Sequence, residues 1–337
     1  MRLEIFGEAD SKRWDDIVNS SVNGTLYHTW TWLKIVEKHS MSKLFPMVFF
    51  DSDDDMPFGA IPLFHMNKFG IKMIFSPPPW CYISLGPVII NKRYKQHKFE
   101  LAYLDFQAYM DRFIKKLGVN YTSIGTSTGL LDIRPFLWAG YKVTPFYTYK
   151  IDLSQGEETI WNNLRKNTRR DINIAKKKGI NIMEQTDEIS IDYVYSVTSS
   201  RYAHRHQRFP VHRSYLTDTF QQFGHTYIKT YVALYQGQIV TALSCTIYKN
   251  TCCAWIGGTR TEESGLEANK LLYWDIITRM INNKYKYFEL MGANTRHLCE
   301  FKSIFGPEIS IYFGMNKSDT LGSLAEKLYL LMKKSYF

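Results

Sequence analysis

Two stretches of the chain carry the same order of elements, and no other feature narrows the fold as much. In the first, a helix over 94–117 leads into Val119-Asn120-Tyr121-Thr122-Ser123-Ile124-Gly125, then a short helix, Ala139-Gly140 and a strand. In the second, a helix over 266–283 leads into Tyr285-Lys286-Tyr287-Phe288-Glu289-Leu290-Met291-Gly292, then a short helix, Phe305-Gly306 and a strand. The spacings from Gly125 to Gly140 and from Gly292 to Gly306 are nearly equal. Helix–strand–glycine runs are common singly. This one recurs with its spacing, so the chain reads as two copies of one mixed fold, and its 337 residues suffice for two domains. The copies differ at a telling place: four residues before the closing glycine stands Phe136 in the first and Lys302 in the second. A charge present in one copy only is a candidate functional substitution; a surface lysine is the simpler alternative.

The remaining pattern predicts helices over 10–19, 28–39, 130–139, 156–178, 189–205, 212–223, 295–304 and 320–335. Strands are expected over 44–50, 58–66, 71–75, 121–125, 143–151, 228–235, 238–248, 251–258, 286–291 and 309–314. Gln236-Gly237 reads as a tight hairpin turn and Asn250 marks another, so 228–258 should form a three-stranded antiparallel meander. The fold class is therefore α+β (mixed α/β), with domains expected over 1–150 and 151–317 and a closing segment over 318–337.

Several classes drop out. Hydrophobic residues make up 45% of the chain, too many for a disordered one. No stretch approaches 18 apolar residues, so no transmembrane helix is expected. The opening Met1-Arg2-Leu3-Glu4-Ile5-Phe6-Gly7-Glu8 has acids where a signal peptide needs an apolar run, and a cytoplasmic location is expected. The 5 cysteines form no CxxC pair, so neither a disulfide framework nor structural zinc is expected. Aromatics at 15% suit a binder of phosphate- or sugar-rich ligands, and equally an ordinary basic α/β protein.

The net charge of +10 is unevenly placed. In the second half its excess is confined to 161–213, with 11 basic and 5 acidic residues. That segment opens in the helix expected over 156–178, ended by Gly179. At about 100° per residue, Trp161, Leu164, Thr168, Ile172 and Ala175 share a face. Arg165, Arg169 and Lys176 flank it, and Lys166, Arg170 and Lys177 lie further round the same side. Such a stripe suits an anion, and also a solvated face with cations toward the helix C-terminus. Arg201 to Arg213 adds four arginines and His204, His206 and His212. No carboxylate or Cys stands near those histidines and the cations oppose a metal ion, so no metal is expected and a second part of an anionic site is. The stripe with its neighbouring aromatics also fits a non-catalytic RNA-binding protein.

Further motifs follow in order. They are Tyr27-His28-Thr29-Trp30-Thr31-Trp32-Leu33, Pro57-Phe58-Gly59-Ala60-Ile61-Pro62-Leu63, and Ser76-Pro77-Pro78-Pro79-Trp80 with Leu85-Gly86-Pro87-Val88. The second half has Leu164-Arg165-Lys166-Asn167-Thr168-Arg169-Arg170 with Ala175 and Gly179-Ile180, then Leu271-Leu272-Tyr273-Trp274-Asp275. It ends in Tyr287-Phe288-Glu289-Leu290-Met291-Gly292 and Glu300-Phe301-Lys302-Ser303-Ile304-Phe305-Gly306. Singly these are weak. In order, across almost the whole chain, they resemble the Fem-type aminoacyltransferases and Fem-like acyltransferases of the GNAT superfamily.

The resemblance implies two tandem GNAT-like domains, each a mixed, mostly antiparallel sheet flanked by helices. It implies a C-terminal helix returning to the first domain and the main site in the second. It further implies transfer of an acyl or aminoacyl group to an amine of a cell-envelope precursor, by direct attack without a covalent enzyme intermediate. Aminoacyl-tRNA or acyl-CoA would serve as donor substrate, with no tightly bound cofactor. An acyl-CoA-dependent N-acetyltransferase acting on a surface-polysaccharide or lipid-linked sugar is an alternative, as is a non-catalytic scaffolding pair. The partners implied are a phosphate-bearing donor and an envelope-precursor acceptor, with tRNA and transient contact with a membrane surface as further candidates. No sustained heptads are present, so the chain resembles the armless members and no coiled-coil arm is expected.

The resemblance places an important lysine at Lys302, able to compensate charge on a phosphate or a tetrahedral intermediate. Arg165, Lys166, Arg169 and Arg170 are candidate phosphate or tRNA-end contacts. Tyr202 and Arg205 pair an aromatic with a guanidinium, which suits a nucleotide or sugar. Gly257 and Gly258 end the strand Ala254-Trp255-Ile256-Gly257-Gly258-Thr259, where they either permit close backbone approach or simply mark a bulge or strand end. Asn269 and Tyr273 lie on the next helix. The stretch from Thr261 to Lys270 lacks a glycine-rich pyrophosphate loop, and Glu262, Glu263 and Glu267 would oppose a pyrophosphate there. Glu289, Glu300 and His297 remain open as general bases. Cys299 has no specified partner His and is not expected to be a nucleophile.

Overall fold

The structure is a computed structural model that describes residues 1–51, 56–81, 83–90, 94–204, 206–259 and 265–335. The first elements are β1 (Arg2–Ile5), α1 (Ser11–Ser20), α2 (Trp30–Ser40), β2 (Lys43–Phe50), β3 (Pro57–Lys68), β4 (Ile71–Ser76) and β5 (Val88–Ile89). There follow α3 (Gln96–Lys116), β6 (Tyr121–Gly125), α4 (Arg134–Trp138), β7 (Lys142–Asp152), α5 (Glu157–Asn163), α6 (Lys166–Lys177) and β8 (Asn181–Glu184). The chain continues through α7 (Glu188–Ala203), α8 (Arg213–Phe223), β9 (Ile228–Tyr235), β10 (Gln238–Tyr248), β11 (Thr251–Thr259) and α9 (Ala268–Asn282). It closes with β12 (Tyr287–Glu289), α10 (Arg296–Lys302), β13 (Glu308–Ser318) and α11 (Thr320–Ser335). These elements form two compact units: Met1–Phe146 with the chain from Ile311 onward, and Tyr147–Ser310.

In the first unit β1, β2, β3 and β4 pair antiparallel in turn, β4 pairs β6 in parallel, and β6 pairs β13 antiparallel. A parallel pair needs a crossover, and α3 supplies it. Phe99, Tyr103, Phe106, Met110 and Ile114 recur at helical spacing on α3 and are buried against Met47, Phe49, Ile61, Leu63, Ile74 and Ile124 of the sheet. Phe106 meets Phe49 at 4.1 Å between ring centroids. Phe136 of α4 is fully buried, edge-on to Tyr141 at 5.5 Å. The C-terminal helix α11 belongs to this unit, where Tyr121 donates to the Glu326 carboxylate at 3.1 Å.

In the second unit β8, β9, β10 and β11 form an antiparallel run, β11 pairs β12 in parallel, and β12 pairs β7 antiparallel. The β9–β10 hairpin turns at Gln236 and Gly237, with φ of 50° and 78°, the left-handed pair whose twist matches the flanking strands. The crossover here is α9, whose Leu271, Leu272, Trp274, Ile276 and Ile277 are buried with Ile151, Leu243, Cys245, Ile247 and Phe288. Each unit thus sets a crossover helix between two parallel strands and follows it with a short helix, which is the repeated order visible in the sequence.

The helix expected over 156–178 is two helices. Leu164 and Arg165 are extended, with ψ of 141° and 134°, and the Arg165 N–H donates to the Ile304 carbonyl at 3.0 Å. Packing against the Phe305-Gly306 turn outweighs helix continuity. A Cβ on Gly306 would lie 2.7 Å from the Asn163 carbonyl oxygen, so the α5 end and this turn touch backbone to backbone. Trp161 and Leu164 consequently do not share a helix with Ile172 and Ala175. Helix 130–139 shrinks to α4, with Pro135 in its first turn. Strands β1, β5 and β8 were not expected: β5 spans two residues, and β8 is a mostly exposed edge.

Candidate functional site

The parallel pairing of β11 with β12 ends early. It joins Thr251, Cys252 and Cys253 to Tyr287, Phe288 and Glu289. Past Glu289 the chain stays with β7 instead, through Leu290 N–H to the Tyr149 carbonyl and Ala293 N–H to the Tyr147 carbonyl, both 2.8 Å. Strand β11 runs on to Thr259 paired with β10. The two parallel strands therefore part beyond Cys253, which opens the sheet along one edge of Ala254–Gly258. Trp255 is the extra residue of a bulge, since Ser244 faces Ile256 while Cys245 faces Ala254.

Gly257 and Gly258 lie in this opened stretch with φ of 153° and 155°, which only glycine adopts readily. A Cβ on Gly257 would collide with the Ala242 carbonyl, and one on Gly258 with the guanidinium of Arg201. Arg201, near the end of α7, donates to the Gly257 carbonyl at 3.2 Å. The glycines thus let an arginine lie directly on the strand.

Lys302 ends α10 with 8% of its surface exposed. Its ammonium donates to the Gly292 carbonyl at 3.0 Å and to that of Met291. Met291 and Gly292 are consecutive left-handed residues, φ 50° and 55°, and this turn offers both carbonyls to Nζ. Burial, then the Arg201 charge, pushes the Lys302 ammonium down to about 8, against the pull of Cys299 and Glu289. Tyr273 of α9 stacks on Phe305 at 5.3 Å and meets Phe301 edge-on at 5.3 Å, and burial pushes its phenol well up. Two cations close enough to influence each other, beside an opened strand edge, form a place for negative charge that develops or is delivered there.

The other expected residues fall into three groups. Arg165 joins this region through its backbone bond to Ile304, and its side chain and that of Lys166 are exposed. Arg169 donates to Asn162 at 3.3 Å, and Arg170 lies 3.4 Å from the Asp171 carboxylate, which also takes Lys270 at 2.7 Å. The Thr241 hydroxyl shares its one proton between the Asn269 side-chain oxygen and the Gly258 carbonyl, each at 3.2 Å, so Asn269 meets the strand end through Thr241. Tyr202 packs on Phe209 at 5.2 Å. Arg205 lies outside the described residues, as do 261–264 of the acidic stretch. His204, His206 and His212 are exposed, and no cluster able to hold a metal ion occurs among the described residues. From the sequence, Arg201 enters only as one of the four arginines of the run Arg201 to Arg213, expected as a second part of an anionic site, and is not singled out as a site residue.

Residues 162–303 match the acetyltransferase (GNAT) domain family. No curated protein sequence matches the chain significantly. Among solved structures, FemX is similar at a TM-score of 0.70 and 12% identity, over 93% of this chain and 97% of that one. The L-PGS of Bacillus licheniformis, a lysylphosphatidylglycerol synthetase, gives 0.57 and 13%, over 98% of each. A tandem GNAT protein from the clavulanic acid biosynthesis pathway gives 0.53 and 10%, over 94% and 98%. At these identities the likeness establishes the fold. Residues 162–303 are thus an acetyltransferase-type (GNAT) domain in a chain of tandem-GNAT, Fem-like fold, and the enzyme class is acyltransferase.

Proposed function

We propose that the second unit transfers an acyl or aminoacyl group from an ester or thioester donor to the amine of a cell-envelope precursor. The observation that carries this reading is a buried lysine, Lys302, held with Arg201 where β11 and β12 part. The likeness to a lysylphosphatidylglycerol synthetase supports an envelope component as acceptor.

The acceptor nitrogen attacks the donor carbonyl carbon. The N–C bond forms, the C–S or C–O bond breaks, the amine loses one proton and the departing thiol or hydroxyl gains one. Backbone N–H groups on the open edge of β11 face the developing oxyanion, and the charges of Lys302 and Arg201 offset it. Tyr273, protonated throughout, packs on Phe301 and Phe305, the neighbours of Lys302 in sequence, and steadies that turn. Arg165 and Lys166, exposed beside the Ile304 turn, meet donor phosphates. Glu267 at the start of α9 is tied to Lys270 at 2.6 Å and places negative charge where a pyrophosphate would seek a helix N-terminus. The donor phosphates are therefore assigned to the α6 side.

The test offers acetyl-CoA and alanyl-tRNA in separate arms, each with a UDP-linked amino sugar and a lysine-containing peptide, and follows amide formation by mass spectrometry. Product in either donor arm, lost about 100-fold or more in Lys302→Ala, is the expected result. No product from any donor–acceptor pair overturns the proposal.

A further inference from the structure

The first unit contains a cleft of about 500 Å³ that the reaction above does not use. Its walls are mainly apolar, Phe99 and Leu130 among them, with polar atoms from Asn23, Asp132 and Arg134. Tyr103 lines it, is fully buried, and has a hydroxyl with no hydrogen-bond partner. Buried hydroxyls are almost always paired, because an unpaired one forfeits its hydration without return. The Gln107 amide nitrogen, one turn along α3, is likewise buried and unpartnered.

The other polar groups of the cleft are already engaged. Arg134 donates to Asp132 at 2.9 and 2.8 Å and to Glu100 at 2.8 Å. The Asn23 amide donates to the Pro87 carbonyl at 2.8 Å and to Ser127 at 3.1 Å, and accepts from the Ile89 N–H at 3.1 Å. Two carboxylates surround one guanidinium, so the rim repels anions. The unfilled capacity is a phenol, which burial and Asp132 keep protonated.

We infer that this cleft binds a neutral ligand with an aryl- or acyl-sized apolar body and a carbonyl or ether oxygen that accepts from the Tyr103 hydroxyl. Tyr103 on the crossover helix α3 meets Phe136 of the following short helix at 6.2 Å, much as Tyr273 on α9 meets Phe301 at 5.3 Å. Where the second copy holds Lys302, the first holds Phe136. The first unit therefore has no buried ammonium at this position, in keeping with a neutral ligand in its cleft.

The probes are 4-phenylbutan-2-one and butylbenzene, the same body with and without a carbonyl, titrated into the full chain by saturation-transfer NMR. The ketone should bind with a Kd below about 1 mM, in keeping with its size. Tyr103→Phe, which removes a hydroxyl that holds nothing in the fold, should weaken the ketone roughly 5–10-fold and leave butylbenzene unchanged. Val22→Trp, at a cleft-lining residue 67% exposed, should abolish binding of both while the circular dichroism spectrum stays native. Absence of ketone binding to the wild type overturns the inference, and so does ketone affinity unchanged in Tyr103→Phe or retained in Val22→Trp. A hydroxyl that serves only a buried water falls under the first of these results.

Discussion

Replacing Lys302 by Met should make the protein more stable at neutral pH and less stable at high pH. Met keeps the length and apolar stem but carries no charge. Burial and Arg201 lower the lysine from 10.5 to about 8, which amounts to about 3 kcal/mol of destabilisation while it is charged. Met also gives up the bonds to the Met291 and Gly292 carbonyls, a loss of about 1–2 kcal/mol. At pH 7 the balance favours the variant by about 1–2 kcal/mol. The pH dependence follows from proton counts. The folded chain releases the Lys302 proton near 8, whereas the unfolded chain keeps it to 10.5. Between those values the unfolded state binds more protons, so wild-type stability rises with pH relative to the variant. Above 10.5 the lysine is neutral in both states, and only the lost carbonyl bonds remain, against the variant. The measurement is urea denaturation of both proteins at pH 7, 8.5, 9.5 and 10. Groups that titrate alike in the two proteins cancel in the difference. A difference that stays flat across this range would refute the reasoning, as would a variant markedly less stable than wild type at pH 7.

If Lys302 acts through its charge, kcat/KM of the wild type should fall as pH rises through about 8, and Lys302→Arg should abolish that limb while keeping part of the rate; an ascending limb instead would assign the neutral amine as a base. Arg201→Met should lower kcat/KM about 10-fold or more and shift the same limb to higher pH, because the Arg201 charge is part of what depresses Lys302; an unmoved limb would reduce Arg201 to a strand brace. Gly258→Ala, at φ 155° and against the Arg201 guanidinium, should cost about 1–3 kcal/mol in thermal melts and most of the activity. Asp171→Asn should remove the ion pair to Lys270 at 2.7 Å and lower stability by about 1–2 kcal/mol, read by urea denaturation.

The fold was legible where local pattern and tertiary need agree. The meander over 228–258 consists of apolar runs, nearly continuously buried in β9 and β10, with a Gln-Gly pair between them that adopts two left-handed conformations, so sequence and structure coincide there. The break at Leu164-Arg165 was not legible. Both residues continue the helical period, and what stops the helix is a carbonyl at Ile304, brought there by the fold. The edge strand β8 was missed for a related reason: its side chains are mostly exposed, so burial imposes no alternation on them. Lys302 could be found by comparing the two copies, which turns one position into a contrast. Arg201 was legible only as one arginine of a basic run, because its exact place depends on two glycines more than fifty residues away that lack side chains to mark the approach. Tyr273 was chosen for its helix, yet it serves mainly as packing for Phe301 and Phe305.

The contrast between Phe136 and Lys302 excludes the simpler alternative for the lysine. A surface lysine would be exposed, and Lys302 is 92% covered by that measure. Burying a Phe at the corresponding position contributes about 2–3 kcal/mol, whereas burying the lysine while charged costs about 3 kcal/mol. The difference is a large share of what a domain has in net stability. The second unit accepts that cost and adds dedicated structure around it. Two consecutive left-handed residues turn their carbonyls to the ammonium, and Arg201 is laid against Gly258, where its guanidinium occupies the space that a Cβ would need. None of these features has a counterpart at Phe136, where Tyr103 and Tyr141 close an ordinary aromatic core. Under the proposed reaction the cost is recovered when negative charge develops beside Lys302, because attraction to that charge opposes the desolvation that depresses its pKa. A group held part-way to deprotonation is sensitive to such charge in a way that a solvated lysine is not, and that sensitivity is the physical reason to bury it.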